Sequence, residues 1–288
     1  MTWLEHFNDS DLALLARTSS DRTIRPKDLS RDEGLIETLL AHPAVFEAIL
    51  GKRATADVLP QITPFLTFAV VVHRGWSELG HAAYVEEWTG PRQRLPVLGG
   101  ADLADFLASS RRRLFLTELL ASFTHVVSGI TWIPTRRGFR KQRFSELDPV
   151  RLASLLDVVS DQERPGVYRR LGDVALFLTG VFPDHTETHG LGPVAEARLL
   201  RAGGLRVATP RSDALPEPGK GGPVGLLERL GARWYHLATA LVSGPLTGTM
   251  TVVAEVADRF AEARRTLNFL TDRYVLPYRT HWFGESAS

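Results

Sequence analysis

The stretch VYRRLGDVALFLTGVF, residues 167–182, decides the fold. Tyr168, Leu171, Val174, Ala175, Leu178, Val181 and Phe182 recur at the three-and-four spacing of one helical face. Leu176 and Phe177 carry apolar surface onto the flanks, and a helix apolar nearly all round is a buried one. Pro165 and Gly166 mark the entrance and Pro183 the exit, because proline cannot continue the hydrogen-bond ladder. The one acid, Asp173, follows Arg169 by a single turn and reads as half of an intrahelical ion pair.

Helical patterns surround this element on both sides. Thr63-Pro64 is a capping hydroxyl followed by proline at the first helical position, predicting a helix to Trp88 that Gly90-Pro91 stops. Gly75 and Gly80 inside it each cost about 1 kcal/mol relative to alanine, a cost that close packing of a neighbour or ligand offsets. Residues 1–60 read as short helices, with Ser30 capping one that runs to Leu40. Residues 90–100 read as a loop, and a helix is expected from Arg112 to Val127. Asp148-Pro149 opens another helix, towards Val159. Beyond it, 226–242 and 249–274 are helical. Val253, Val256, Phe260, Ala263, Leu267, Leu270 and Tyr274 form a regular packing seam along the second.

Only residues 130–144 depart from the helical period. ITWIPT is strand-favouring, RRG suggests a turn and FRKQRF alternates, so a small β-hairpin is predicted there. The expected fold is therefore all-α: a multi-helix, bundle-like array around residues 167–182, with one hairpin. The chain reads as a single helical domain, 1–288. Within it, 201–223 is rich in Gly and Pro and reads as a flexible surface loop or linker, and 224–288 as a helical pair packed on the main body.

Composition excludes more than it selects. The net charge is +1, so bulk electrostatics argues for neither nucleic acid nor membrane. Lys27, Lys52, Lys141 and Lys220 are the four lysines among thirty-four basic residues; the skew to arginine reads first as codon usage and second as a taste for bidentate anion contacts. With no cysteine, disulfides, thiolate zinc sites and thiol catalysis are excluded together. The start, MTWLEHFNDSD, does not read as a signal peptide, and no apolar run reaches a membrane-spanning length. A water-soluble, cytoplasmic protein is expected.

Three places carry chemistry. Asp184, His185, Glu187 and His189 cluster directly after the central helix and offer ligands for zinc, manganese or iron. In an extended loop, alternate residues would bring His185, Glu187 and His189 to one side; the competing reading is a polar surface loop. Glu78 and His81 have the E-x-x-H spacing of bundle di-iron sites, but no second such motif accompanies them. With His73 and Trp76 they form a candidate cofactor-binding set, or alternatively core. Arg136, Arg137, Arg140, Lys141 and Arg143 place five cations on the hairpin, interleaved with Phe139 and Phe144, as in polyanion-binding segments. Arg111, Arg112 and Arg113 sit at the start of a helix, the wrong end for cations, which mildly favours an anionic partner. No nucleophile elbow, P-loop or dinucleotide fingerprint is present.

The sequence thus favours a non-enzymatic interaction or regulatory protein with a protein partner or self-association. Two alternatives stand beside it: a helical enzyme or metal- or cofactor-binding protein using His73/Glu78/His81 or His185/Glu187/His189, and a nucleic-acid or polyanion binder acting through 136–143. Whether the chain is an enzyme stays open at this level, and no cofactor is specified.

Overall fold

Helices supply nearly all of the regular structure, as the sequence predicts. The computed structural model describes residues 2–19, 21, 23–51, 62–124, 128–135, 138–145, 147–205 and 222–284, with backbone alone for 128–135 and 138–145. Backbone contacts divide it into two units, each assembled from segments distant in sequence. Among the described residues, no helix is long and apolar enough to cross a membrane.

The first unit comprises Met1–Glu86, Pro96–Thr124 and Phe269–Tyr278. Its helix α1 (Asp9–Thr18) opens on a capping box between Asn8 and Asp11. The buried Asp11 also accepts the Thr63 backbone amide at 2.9 Å and hydroxyl at 2.7 Å, tying the starts of two helices together. Then come α2 (Pro26–Leu29), α3 (Glu33–Leu40) and α4 (Pro43–Leu50). Asp32, not Ser30, caps α3, accepting the Leu35 amide at 3.0 Å; Ser30 closes α2. Helix α5 (Pro64–Leu79) starts at Thr63-Pro64 as predicted and is buried along almost its whole first half.

It does not run to Trp88. Gly80 closes it, and residues 85–97 form a second hairpin where a helix end and a loop were expected: β1 (Val85–Gly90) and β2 (Gln93–Val97). The physical reason lies in the residues. A turn at Pro91-Arg92, with Arg92 at φ 57°, follows a segment whose Val85, Trp88 and Thr89 suit a strand, and Pro96 keeps the next one from being helical. Helices α6 (Gly100–Ala108) and α7 (Ser110–Ser122) complete the unit with residues 269–278, and α5 packs on both.

The second unit comprises Glu87–Leu95, His125–Asn268 and Arg279–Ser288. The predicted hairpin is present as β3 (Ser128–Thr135) and β4 (Gly138–Ser145), antiparallel, with Pro134 opposite Phe139 near the tip where a missing N–H is tolerated. Helix α8 (Pro149–Ser154) is capped by Asp148. The central helix is α9 (Arg164–Val181), buried from Leu171 onward except at Leu178, which is half-buried rather than core. Helices α10 (Pro183–His189), α11 (Pro193–Ala202), α12 (Pro223–Ala240), α13 (Thr249–Asp258), α14 (Phe260–Leu270) and α15 (Arg279–Phe283) follow.

The most extensive packing in this unit is between α9 and α12. It depends on glycine: the space a Cβ would need at Gly172 is filled by the Tyr235 ring, and at Gly231 by the Phe260 ring and Ala175. Asp173 is not held by an intrahelical pair. It is buried and accepts a 2.8 Å hydrogen bond from the Tyr235 hydroxyl, so burial pushes its carboxyl up. The 249–274 seam is fully buried, but the predicted single helix is two, broken at Arg259. Residues 206–221 of the expected linker lie outside the described residues.

Candidate functional site

Helix α5 sorts the four cofactor-set residues by depth. His73 and Trp76 turn into the first unit's interior. The His73 imidazole accepts from Arg113 Nε at 3.3 Å, contacts the Ala69 carbonyl at 2.9 Å and packs against Trp3, with ring centroids 5.1 Å apart. The Arg113 guanidinium lies 4.1 Å from the Trp76 ring centroid and pairs with Glu37. Burial lowers the His73 pKa to about 4, with Arg113 adding to the depression, so the ring is neutral at pH 7.

This cluster also accounts for the arginines at the start of α7. Arg113 donates to the Leu107 and Ala108 carbonyls at 2.7 and 3.0 Å, and Arg112 to those of Phe106 and Asp105 at 2.6 and 3.0 Å. Both cations therefore close the C-terminal end of α6, the end where dipole logic wants them. No external anion is needed to explain their position.

Glu78 and His81 face outward, into a cavity of about 570 Å³ lined also by Arg74, Tyr84, Glu86, Phe269, Asp272 and Arg273. The far wall arises from an irregularity. After Leu270 the chain makes a single π-helical turn, Thr271–Val275, a rare and costly geometry that recurs at functional sites. Gly75 makes the approach close, since a Cβ there would overlap the Leu270 side chain; this is the packing that offsets its helical cost.

Glu78 is the hub of the wall. One oxygen accepts from Arg74 Nε at 2.9 Å and its terminal nitrogen at 2.8 Å, and the other from Arg273 Nε at 3.2 Å. Burial pushes its carboxyl up, but the adjoining Tyr274 hydroxyl and the charges of Arg74 and Arg273 outweigh it, and the pKa lies below the usual range. Tyr274, buried beside this carboxylate, is pushed well above the ordinary phenol range. Arg273 spends only Nε on Glu78 and makes no other bond among the described residues, so its terminal nitrogens stay available. In the same lining, Glu86 is an exposed carboxylate without an ion pair among the described residues, and Tyr84 and Phe269 supply aromatic surface. His81 is exposed, with Nδ1 on the Ser77 carbonyl at 2.8 Å.

The quartet after the central helix is not an extended loop. It forms α10, on which residues two apart diverge. His185 and His189 stack, with ring centroids 4.0 Å apart, beside a separate cavity of about 250 Å³. Glu187 points elsewhere and accepts the Val224 amide at 3.1 Å, serving the otherwise uncapped start of α12. Asp184 accepts from Trp88 Nε1 at 2.7 Å and the Arg92 amide at 3.0 Å. The structure thus brings the two histidines together and gives both acids other partners. Among the described residues, no group of three or more acid and histidine side chains is gathered as a metal site.

Of the basic run, Arg136 and Arg137 lie outside the described residues, while Arg140, Lys141 and Arg143 are placed by backbone alone on β4, opposite Ile133, Trp132 and Ile130. No protein-family model, curated protein or solved structure matches the chain.

Proposed function

We propose that this chain is a ligand-binding regulatory protein whose ligand is a small zwitterion of the amino-acid type, held in the cavity between the end of α5 and the π turn. The observation that carries the reading is the pairing of an oriented Arg273, its terminal nitrogens available, with the unpaired Glu86 carboxylate in one cavity that also presents Tyr84 and Phe269. A guanidinium engaged through Nε alone keeps its two terminal nitrogens for a carboxylate, and such charge-assisted pairs are the stronger hydrogen bonds. Glu86 complements an ammonium, and the two rings suit an apolar or aromatic side chain. The volume of about 570 Å³ falls in the range of small-molecule sites.

Binding is favoured over acid–base catalysis by the state of the groups themselves. Glu78 is held ionised with a depressed pKa, away from the neutral range that suits a general acid or base. Regulation through protein partners or self-association is the corresponding role for a helical binding protein.

Thermal melts with L-phenylalanine, L-tryptophan and L-leucine test the reading, against 2-phenylethylamine and 3-phenylpropionate, which lack the carboxylate and the ammonium respectively. At least one amino acid is expected to raise the melting temperature while 2-phenylethylamine and 3-phenylpropionate do not, because a ligand of the folded state alone stabilises it by mass action. Arg273→Gln should abolish the shift. Equal shifts with the amine or the acid would refute the zwitterion assignment.

A further inference from the structure

A second cavity, of about 470 Å³, lies wholly within the second unit, between α8, the first turns of α9 and the end of α11. Its lining has a different character from the first. Three guanidinium groups, Arg164, Arg198 and Arg201, line it with one carboxylate, Asp157. Arg198 and Arg201 are exposed and form no ion pair or hydrogen bond among the described residues. Arg164 pairs through a terminal nitrogen with Asp161 at 3.2 Å, but that acid is 90 % exposed, and the Arg164 Nε–H is buried without an acceptor. A buried unpaired donor is costly unless an acceptor comes to it. Tyr168 forms one aromatic wall, and Ala153 and Leu156 form a buried apolar floor.

From this arrangement we infer that the cavity binds a phosphate monoester, its phosphoryl group among Arg164, Arg198 and Arg201 and its organic part against Tyr168 and the apolar floor. Arg198 and Arg201, without an ion pair among the described residues, suit the dianion, and guanidinium forks match its oxygens. The cavity is larger than a bare phosphate needs, so a sugar phosphate or a nucleoside monophosphate fits the class. The first turn of α8 also borders the cavity, but Asp148 already accepts its Val150 and Arg151 amides, so the recognition is by side chains.

Titration calorimetry of the full chain with glucose 6-phosphate and with adenosine 5′-monophosphate, at fixed ionic strength, tests the inference. At least one ester should bind at pH 7.5, with glucose and adenosine silent. Affinity should fall severalfold at pH 5, where a monoester with second pKa near 6 is mostly a monoanion. Arg198→Gln/Arg201→Gln should weaken binding about tenfold or more, since charge-assisted bonds are lost, with no change in melting temperature. Should the double variant melt early, Arg198→Gln alone, on an exposed position, decides. Heat absent with both esters, or undiminished in these variants, would overturn the assignment.

Discussion

Between pH 7 and pH 5 the first unit should lose roughly 2 kcal/mol of stability through His73 alone, and His73→Asn should remove that loss. The folded pKa of His73 is about 4, below the ordinary value of 6.5. In that window the unfolded chain takes up the proton and the native one does not, so stability falls as pH falls below about 6.5 and the loss levels off below about 4. The ring cannot charge in place, because Arg113 and Trp3 enclose it and Glu37 is already engaged by Arg113. Other groups also titrate in this window, His185 and the buried Asp173 among them, so the difference between native protein and His73→Asn isolates the His73 contribution. Urea midpoints for both proteins at pH 7 and pH 5 provide the check. An equal fall in native and variant would remove His73 as the cause.

Two glycines on α9 should respond with opposite sign to the same chemical change. Gly172→Ala drives a Cβ into the Tyr235 ring, which is fully buried and tied through its hydroxyl to Asp173, so nothing nearby can yield cheaply. Overpacking of that kind costs about 1–3 kcal/mol, more than the gain of about 1 kcal/mol in helix propensity. Gly166→Ala meets nothing within 4 Å and should stabilise by about 0.4–1 kcal/mol through the unfolded chain. Denaturant midpoints of the two variants give the comparison. Gly172→Ala as stable as the native protein would mean that α9 and α12 do not pack as closely as described.

Burial was the legible part of this sequence. Apolar spacing located α9 and the 249–274 seam, and strand-favouring alternation located the β3–β4 hairpin, because those signals are local and repeat. The end of α5 is not legible in sequence, because glycine inside a helix and glycine closing one look alike there. Gly75 is the first kind, held by Leu270, and Gly80 the second. The same limit applied to α10, whose seven residues are too few to show a period.

The candidate site was half legible. Glu78 and His81 stood out by spacing, but the partner that gives Glu78 its meaning, Arg273, lies 195 residues away and no local motif announces it. His73 and Trp76 share the helix with them yet serve the interior, a division that depends on where α7 delivers Arg113. The basic cavity has no local sequence signal, because Arg164, Arg198 and Arg201 come from two helices and each is ordinary alone.

Hydrogen–deuterium exchange on the native chain, with and without a saturating amino acid from the melt series, tests the central claim most directly. If the zwitterion sits between the end of α5 and the π turn, protection should appear in peptides covering 77–86 and 269–275, and Arg273→Gln should erase it. Protection confined to other segments, or unchanged in Arg273→Gln, would contradict the site.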